Sequence, residues 1–291
     1  MRPLLFLGLL VFATAAAAQP RLTTPEASPA ARAEQTVGIT RLAVDYHRPA
    51  VADRQIWGDL VPYNAVWRAG ANENTVFSTS TEILVEGRPL PAGRYGLHMI
   101  PTEDAWIVAF SRFADGWGSY AYDASEDALR VTVSPQQAPF GERLAYRFDN
   151  PTETATDLVL HWERLEVPLR ITADTPQLVL AQMERELRGV AAFYPEPWAQ
   201  AAAYALVHQT RLDDALAWAD RSIGMAPTFS VRMTRAGLLD ALGRPEDAAA
   251  ERDVAYADVQ ESEVRAYARA LRRSGLDSQA DAALARLGSA P

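Results

Sequence analysis

From Gln35 to Thr172 apolar and polar residues alternate with a period of two. Leu42, Val44 and Tyr46 fall on one side of an extended segment and Arg41, Ala43 and Asp45 on the other, and Val131 and Val133 flank Thr132 in the same way. The pattern predicts further strands at 74–80, 82–86, 93–100, 105–111, 143–149, 156–163 and 166–172, separated by turn signals such as Glu86-Gly87-Arg88, Pro91-Ala92-Gly93 and Asp149-Asn150-Pro151. About nine short strands with tight turns and few helical runs between them predict an antiparallel β-sandwich or jelly roll rather than a parallel sheet.

The period changes near residue 173. After Asp174-Thr175-Pro176, a helix cap with proline in its first turn, the chain is alanine-rich with apolar residues three and four apart. Arg211-Leu-Asp-Asp-Ala215 recurs as Arg244-Pro-Glu-Asp-Ala248 at an offset of 33, and Leu276-Asp-Ser-Gln-Ala280 follows 32 residues later. That spacing resembles two to three degenerate tetratricopeptide repeats, with an ordinary helical bundle as the alternative. The expected division is therefore a signal peptide at 1–18, a disordered linker at 19–34, a β-sandwich at 35–172 and an all-α helical-repeat domain at 173–291.

The first eighteen residues carry Arg2, an apolar stretch from Leu4 to Phe12 and the small residues Ala16-Ala17-Ala18, the layout of a cleavable secretory signal. The apolar stretch is shorter than the roughly 20 residues that span hydrocarbon, so stable membrane insertion after cleavage is not expected. The chain has no cysteine, which removes disulfides, thiol nucleophiles and thiolate metal sites. It also has no lysine, so all 28 basic residues are arginine and amine chemistry is excluded. The net charge of −9 disfavours nucleic acid as a partner. Zincin, serine-hydrolase and dinucleotide-binding motifs do not occur, and no cofactor is implied.

One irregular segment concentrates candidate chemistry. Residues 48–77 contain Arg48, Arg54 and Arg68, Trp57 and Trp67, and the run Asn72, Glu73, Asn74, with little helix or strand periodicity. Guanidinium groups beside indoles suit recognition of a carboxylate or phosphate, which makes Arg48, Arg54, Arg68 and Asn72 ligand-binding candidates, with Trp57 stacking. Against this stands ordinary core packing for the tryptophans and solvation for the arginines. Glu73 with His98 or His47 is a candidate acid/base pair, and His47, Glu73 and His98 together are the one conceivable metal set, although no metal site is expected. His161 and His208 read as structural. A second aromatic cluster, Phe113-Ala-Asp-Gly-Trp117-Gly-Ser-Tyr120-Ala-Tyr122-Asp123, reads as a loop with exposed rings of the kind that stack on sugar or peptide planes, or as edge-strand packing.

Several segments together, Val44-Asp-Tyr-His-Arg-Pro49, Gln55-Ile-Trp-Gly-Asp-Leu-Val-Pro-Tyr63, Val66-Trp-Arg-Ala-Gly-Ala-Asn72, Leu90-Pro-Ala-Gly-Arg-Tyr95, Trp117-Gly-Ser-Tyr120 and Asp127-Ala-Leu-Arg-Val131, closely resemble a bacterial family known as domain of unknown function 2911. The resemblance covers roughly residues 35–172, and the helical tail is similar to the extension that some members carry. It implies export, this domain layout and a role for the arginine-tryptophan segment, without implying a reaction.

The expected function is an exported, periplasmic or secreted binding protein. Its sandwich would hold a small polar or anionic ligand while the helical array docks a protein partner; the alternative is a hydrolase or lyase using Glu73 with His98 or His47. If the signal reading is correct, intact-mass analysis of the expressed protein gives a chain starting near Gln19. Recovery of a full-length product in the cytoplasm would refute it.

Overall fold

Alternation becomes pairing in the computed structural model, which describes residues 24–257 and 259–287. The strands are β1 (Ala30–Val37), β2 (Thr40–His47), β3 (Val76–Thr79), β4 (Ile83–Val85), β5 (Arg88–Leu90), β6 (Gly93–Ile100), β7 (Trp106–Ser111), β8 (Asp127–Val133), β9 (Gln136–Asp149) and β10 (Ala155–Thr172). They form two antiparallel sheets, one of six strands in the order β1-β2-β3-β6-β7-β8 and one of four in the order β5-β4-β10-β9. The fold is the mainly β domain followed by helices that the two periodicities predict.

A single apolar cluster joins the inward faces of the sheets. Val44, Phe77, Leu97, Val108 and Val131 come from the larger sheet, and Leu144, Leu158, Leu160, Trp162, Val167, Leu169 and Ile171 from the smaller. On β10 the residues that join the core between the sheets are even-numbered from Leu158 to Trp162 and odd-numbered from Val167 to Ile171. The register shifts between His161, Glu163 and Leu165 supply the residues that change the face. A strict period-two reading breaks there, which is why the sequence suggests two strands at 156–163 and 166–172 where the structure has one.

The expected signal at 1–18 lies outside the described residues. The disordered linker expected over 19–34 is corrected at its C-terminal end, because Ala30–Val37 is β1 and pairs along its length with β2. Its inward residues include Ala31 and Ala33, too small to mark a strand by hydrophobicity, and its outward Arg32 donates two hydrogen bonds to Asp45 across the pair, at 2.7 and 2.6 Å.

One end of the sandwich is plugged by four indoles. Trp57 stands edge-on to Trp67, Trp106 and Trp162 at centroid distances of 5.9, 4.8 and 5.7 Å, while Trp67 stacks on Trp162 at 6.0 Å. Trp106 and Trp162 are almost wholly buried. This quartet anchors the irregular stretch between β2 and β3 onto the core.

The chain runs from β10 directly into helix α1 (Thr175–Glu186), capped by the Asp174 carboxylate accepting from Gln177 N at 3.3 Å. Thr175 Oγ1 donates to Glu153 O at 2.8 Å and Leu178 packs against the sandwich core, which fixes the junction. Six more helices follow: α2 (Pro195–Val207), α3 (Leu212–Met225), α4 (Phe229–Ala241), α5 (Pro245–Tyr256), α6 (Glu261–Arg273) and α7 (Asp277–Leu287). They pack as successive pairs, α2 with α3, α4 with α5 and α6 with α7.

The recurring motif opens the second helix of each pair. In the first two copies the leading arginine holds the aspartate three residues on, Arg211 to Asp214 at 2.9 Å and Arg244 to Asp247 at 2.8 Å. Ala215, Ala248 and Ala280 are each fully buried, so the motif alanine faces the interior of its helix pair. Among the described residues no helix is long and apolar enough to cross a membrane.

Candidate functional site

Because side chains alternate across a strand, the residues between the core positions of the larger sheet face outward. At one end of that outer face the register sets His98 of β6 beside Ala109 of β7 and Arg130 of β8, with Gly96 beside Val76 and Ser111. His47 ends β2, and Asn74 lies just before β3. Residues 112–123, between β7 and β8, fold over this surface. The fit requires a missing side chain at Gly96, where a Cβ would come within 2.6 Å of Phe113 O.

Under this loop His98 is almost fully buried, at 2% exposure. Its Nδ1 lies 3.0 Å from Ser119 Oγ and its ring packs on Tyr122 at 4.7 Å. Burial pulls its pKa down to about 4, partly opposed by the charge of Asp127, so the imidazole is neutral at pH 7. Tyr122 in turn donates to Asp127 Oδ2 at 2.7 Å and accepts from Arg130 at 2.6 Å, and Arg130 closes the triangle by pairing with Asp127. Burial, reinforced by the hydrogen bond to Asp127, pushes the Tyr122 phenol up to about 12. The loop is thus fastened to the sheet by partly buried polar contacts.

Above this fastening two rings project. Trp117 and Tyr120 lie nearly parallel, 11° apart at a centroid distance of 6.0 Å, yet are 61% and 85% exposed. Gly118, with φ of +72°, turns the chain so that the Tyr120 ring stacks against Trp117, and a Cβ there would meet the Tyr120 ring at 2.9 Å. The Arg68 guanidinium sits 5.7 Å from the Trp117 ring centre. Glu73 forms a backbone bridge with Trp117 and sends its carboxylate to within 3.4 Å of His47 Nε2, where Glu26 also approaches at 3.7 Å.

The site residues suggested by sequence thus separate into two groups. Arg68 and Glu73 both adjoin Trp117, and His47 lies beside Glu73. Arg48 and Arg54 bind main-chain carbonyls instead, Arg48 to Leu144 O at 3.0 Å and Arg54 to Ala50 O at 2.5 Å and Val51 O at 3.0 Å. Asn72, at φ +56°, donates to Ser28 O at 3.3 Å. Trp57 belongs to the indole quartet of the core. Glu73 is paired with His47 and not with His98, whose Nδ1 is engaged by Ser119. Among the described residues no group of three or more histidines, aspartates and glutamates is arranged to hold a metal ion.

Ser119, Asp127 and Arg130 lie in the family-like segments and Tyr122 in the aromatic cluster, yet none has a residue type and spacing that marks it as a site residue. The aromatic run 113–123 was the available signal. Four buried polar atoms in this region, His47 Nδ1, Arg68 Nε, Asn74 Oδ1 and Asp127 Oδ1, have no hydrogen-bond partner among the described residues.

Residues 28–171 match the family model described as Protein of unknown function (DUF2911). No curated protein and no solved structure matches the chain.

The depressed His98 pKa ties stability to pH. The unfolded histidine binds a proton near pH 6.5 and the folded one only near 4, so the His98 contribution is complete above about pH 6.5 and is lost as pH falls toward 4. The full difference is on the order of 3 kcal/mol. Urea unfolding at pH 4 and pH 6.5 should therefore show a smaller pH-dependent loss in His98→Gln than in the wild type; equal losses would contradict the assignment.

Proposed function

The β domain of this chain belongs to the DUF2911 family, and because that description carries no reaction, we propose a role from the site itself: an exported binding protein that stacks a sugar ring on Trp117 and Tyr120. The observation carrying this reading is the parallel, solvent-exposed pair held over a buried polar base. Large exposed rings fixed in place are costly to leave in water and favour an apolar ligand face, and the C–H face of a saccharide is flat enough to cover the outer face of the stack. Arg68 and the exposed carboxylate of Glu73 then stand at the edge of the stack to hydrogen-bond ring hydroxyls. Export is supported by the signal-like first eighteen residues.

A second reading rests on the 3.4 Å approach of Glu73 to His47, which supplies an acid/base pair beside the shelf. With Glu73 64% exposed on its side chain, water is not excluded from the pair, and binding without turnover is the preferred function. The helical array adds Val190, Phe193 and Tyr194, all exposed before α2, as an apolar surface for a protein partner.

Calorimetry of the mature chain against a panel of neutral and acidic oligosaccharides tests the shelf. One binder is expected whose affinity falls about tenfold or more in Trp117→Ala and in Tyr120→Ala, an effect of roughly 1–2 kcal/mol. Undiminished binding in both variants would remove the shelf from the function. Product release by the wild type that disappears in Glu73→Gln, with binding retained, would instead establish the catalytic reading. For the helical surface, Phe193→Asp in the full chain should end co-purification of the partner while saccharide binding persists, and unchanged co-purification would place the partner elsewhere.

A further inference from the structure

The outer face of the six-stranded sheet holds a second hollow. A groove of about 670 Å³ crosses β1, β2, β3 and β6, with Arg32, Arg41 and Arg94 among its lining residues. It exists because its floor is built from small residues, Ala43, Ser78 and Gly93, between long walls. The register sets Ala43, Ser78 and Arg94 side by side on adjacent strands, and the Arg41 amide donates to Ser80 Oγ at 2.9 Å.

The arginines of this groove are not equivalent. Arg32 is committed to Asp45 and Glu34. Arg94 reaches Asp115 through a single 3.3 Å contact in which both side chains are largely exposed, an arrangement that water and a competing anion readily replace. The Arg41 guanidinium has no hydrogen-bond or ion-pair partner among the described residues. With strands about 4.8 Å apart and about 6.8 Å between successive outward residues, the Arg41 and Arg94 backbones lie roughly 12 Å apart, so both side chains reach a group placed over Ser78. Asp115 is two residues from Trp117, and the groove therefore runs along the same face toward the aromatic shelf.

Resting on the saccharide-binding reading of that shelf, we infer that the ligand is an acidic oligosaccharide, one ring stacked on Trp117 and Tyr120 and a carboxylate further along the chain held by Arg41 and Arg94 with the Ser78 hydroxyl. Paired guanidinium donors recognise a planar carboxylate, whereas neutral sugars gain nothing from the groove. The distance from Arg94 to His98 on β6 is four residues, about 13 Å, which a few linked sugar units span.

The probe is tetragalacturonate, with its methyl ester as the uncharged counterpart, titrated into the mature chain by calorimetry. The acid is expected to bind about tenfold more tightly than the ester, a preference that falls with added salt. Arg41→Gln and Arg94→Gln should each reduce the preference and together abolish it, while ester affinity and the urea midpoint stay unchanged. Equal affinity for acid and ester, or a preference that survives both substitutions, overturns the groove assignment and leaves the shelf intact. Absence of binding by both overturns the acidic-saccharide assignment, and the neutral oligosaccharides then report on the shelf separately, through their dependence on Trp117.

Discussion

Every second residue of the larger sheet is committed to the space between the two sheets, and that commitment governs the rest of the molecule. Val44 faces Phe77, Leu97 faces Phe110 and Met99 faces Val108, each pair fixed by the ladder beneath it. A slip of one residue on β6 would turn His98 and Arg94 into the apolar interior and Leu97 and Met99 out to water. Burial of each large apolar side chain contributes about 1.5–3 kcal/mol, so the slipped register is inaccessible. The same register that builds the core therefore determines which polar residues share the outer face.

The outer face is organised by how one loop is attached to it. Residues 112–123 are pinned from below by the His98–Ser119 hydrogen bond and by the Tyr122, Asp127 and Arg130 triangle. Rings mounted on a loop secured in this way have little freedom of their own. The indole quartet at the sandwich end gives the irregular segment before β3 the same rigidity from the other side.

The helical region follows a different logic, in which each pair contacts its neighbours and the motif arginine and aspartate secure the start of the second helix. The fully buried alanine allows close approach within a pair, and its recurrence accounts for the spacing seen in the sequence. Docking of α1 onto the β domain through Thr175 and Leu178 links this array to the sandwich.

The switch from a period of two to a period near 3.6 around residue 173, the strands with large inward side chains and the recurrence of the helical motif were all legible in the sequence, because they arise from local geometry acting on neighbouring residues. β1 was not, since alanine carries little hydrophobic signal and its pairing partner is needed to define it. Nor was the division among the arginines of residues 48–68, which have the same chemistry in sequence. Only the folded chain presents Leu144 O to Arg48 and Ala50 O to Arg54 while leaving Arg68 beside Trp117. Composition and periodicity by themselves determined that this protein is a β domain followed by helices, with an arginine- and aromatic-rich segment; tertiary structure decided which of those side chains meet, because contacts between His47 and Glu73 or between Arg68 and Trp117 span 26 and 49 residues of chain and exist only once strand register is set.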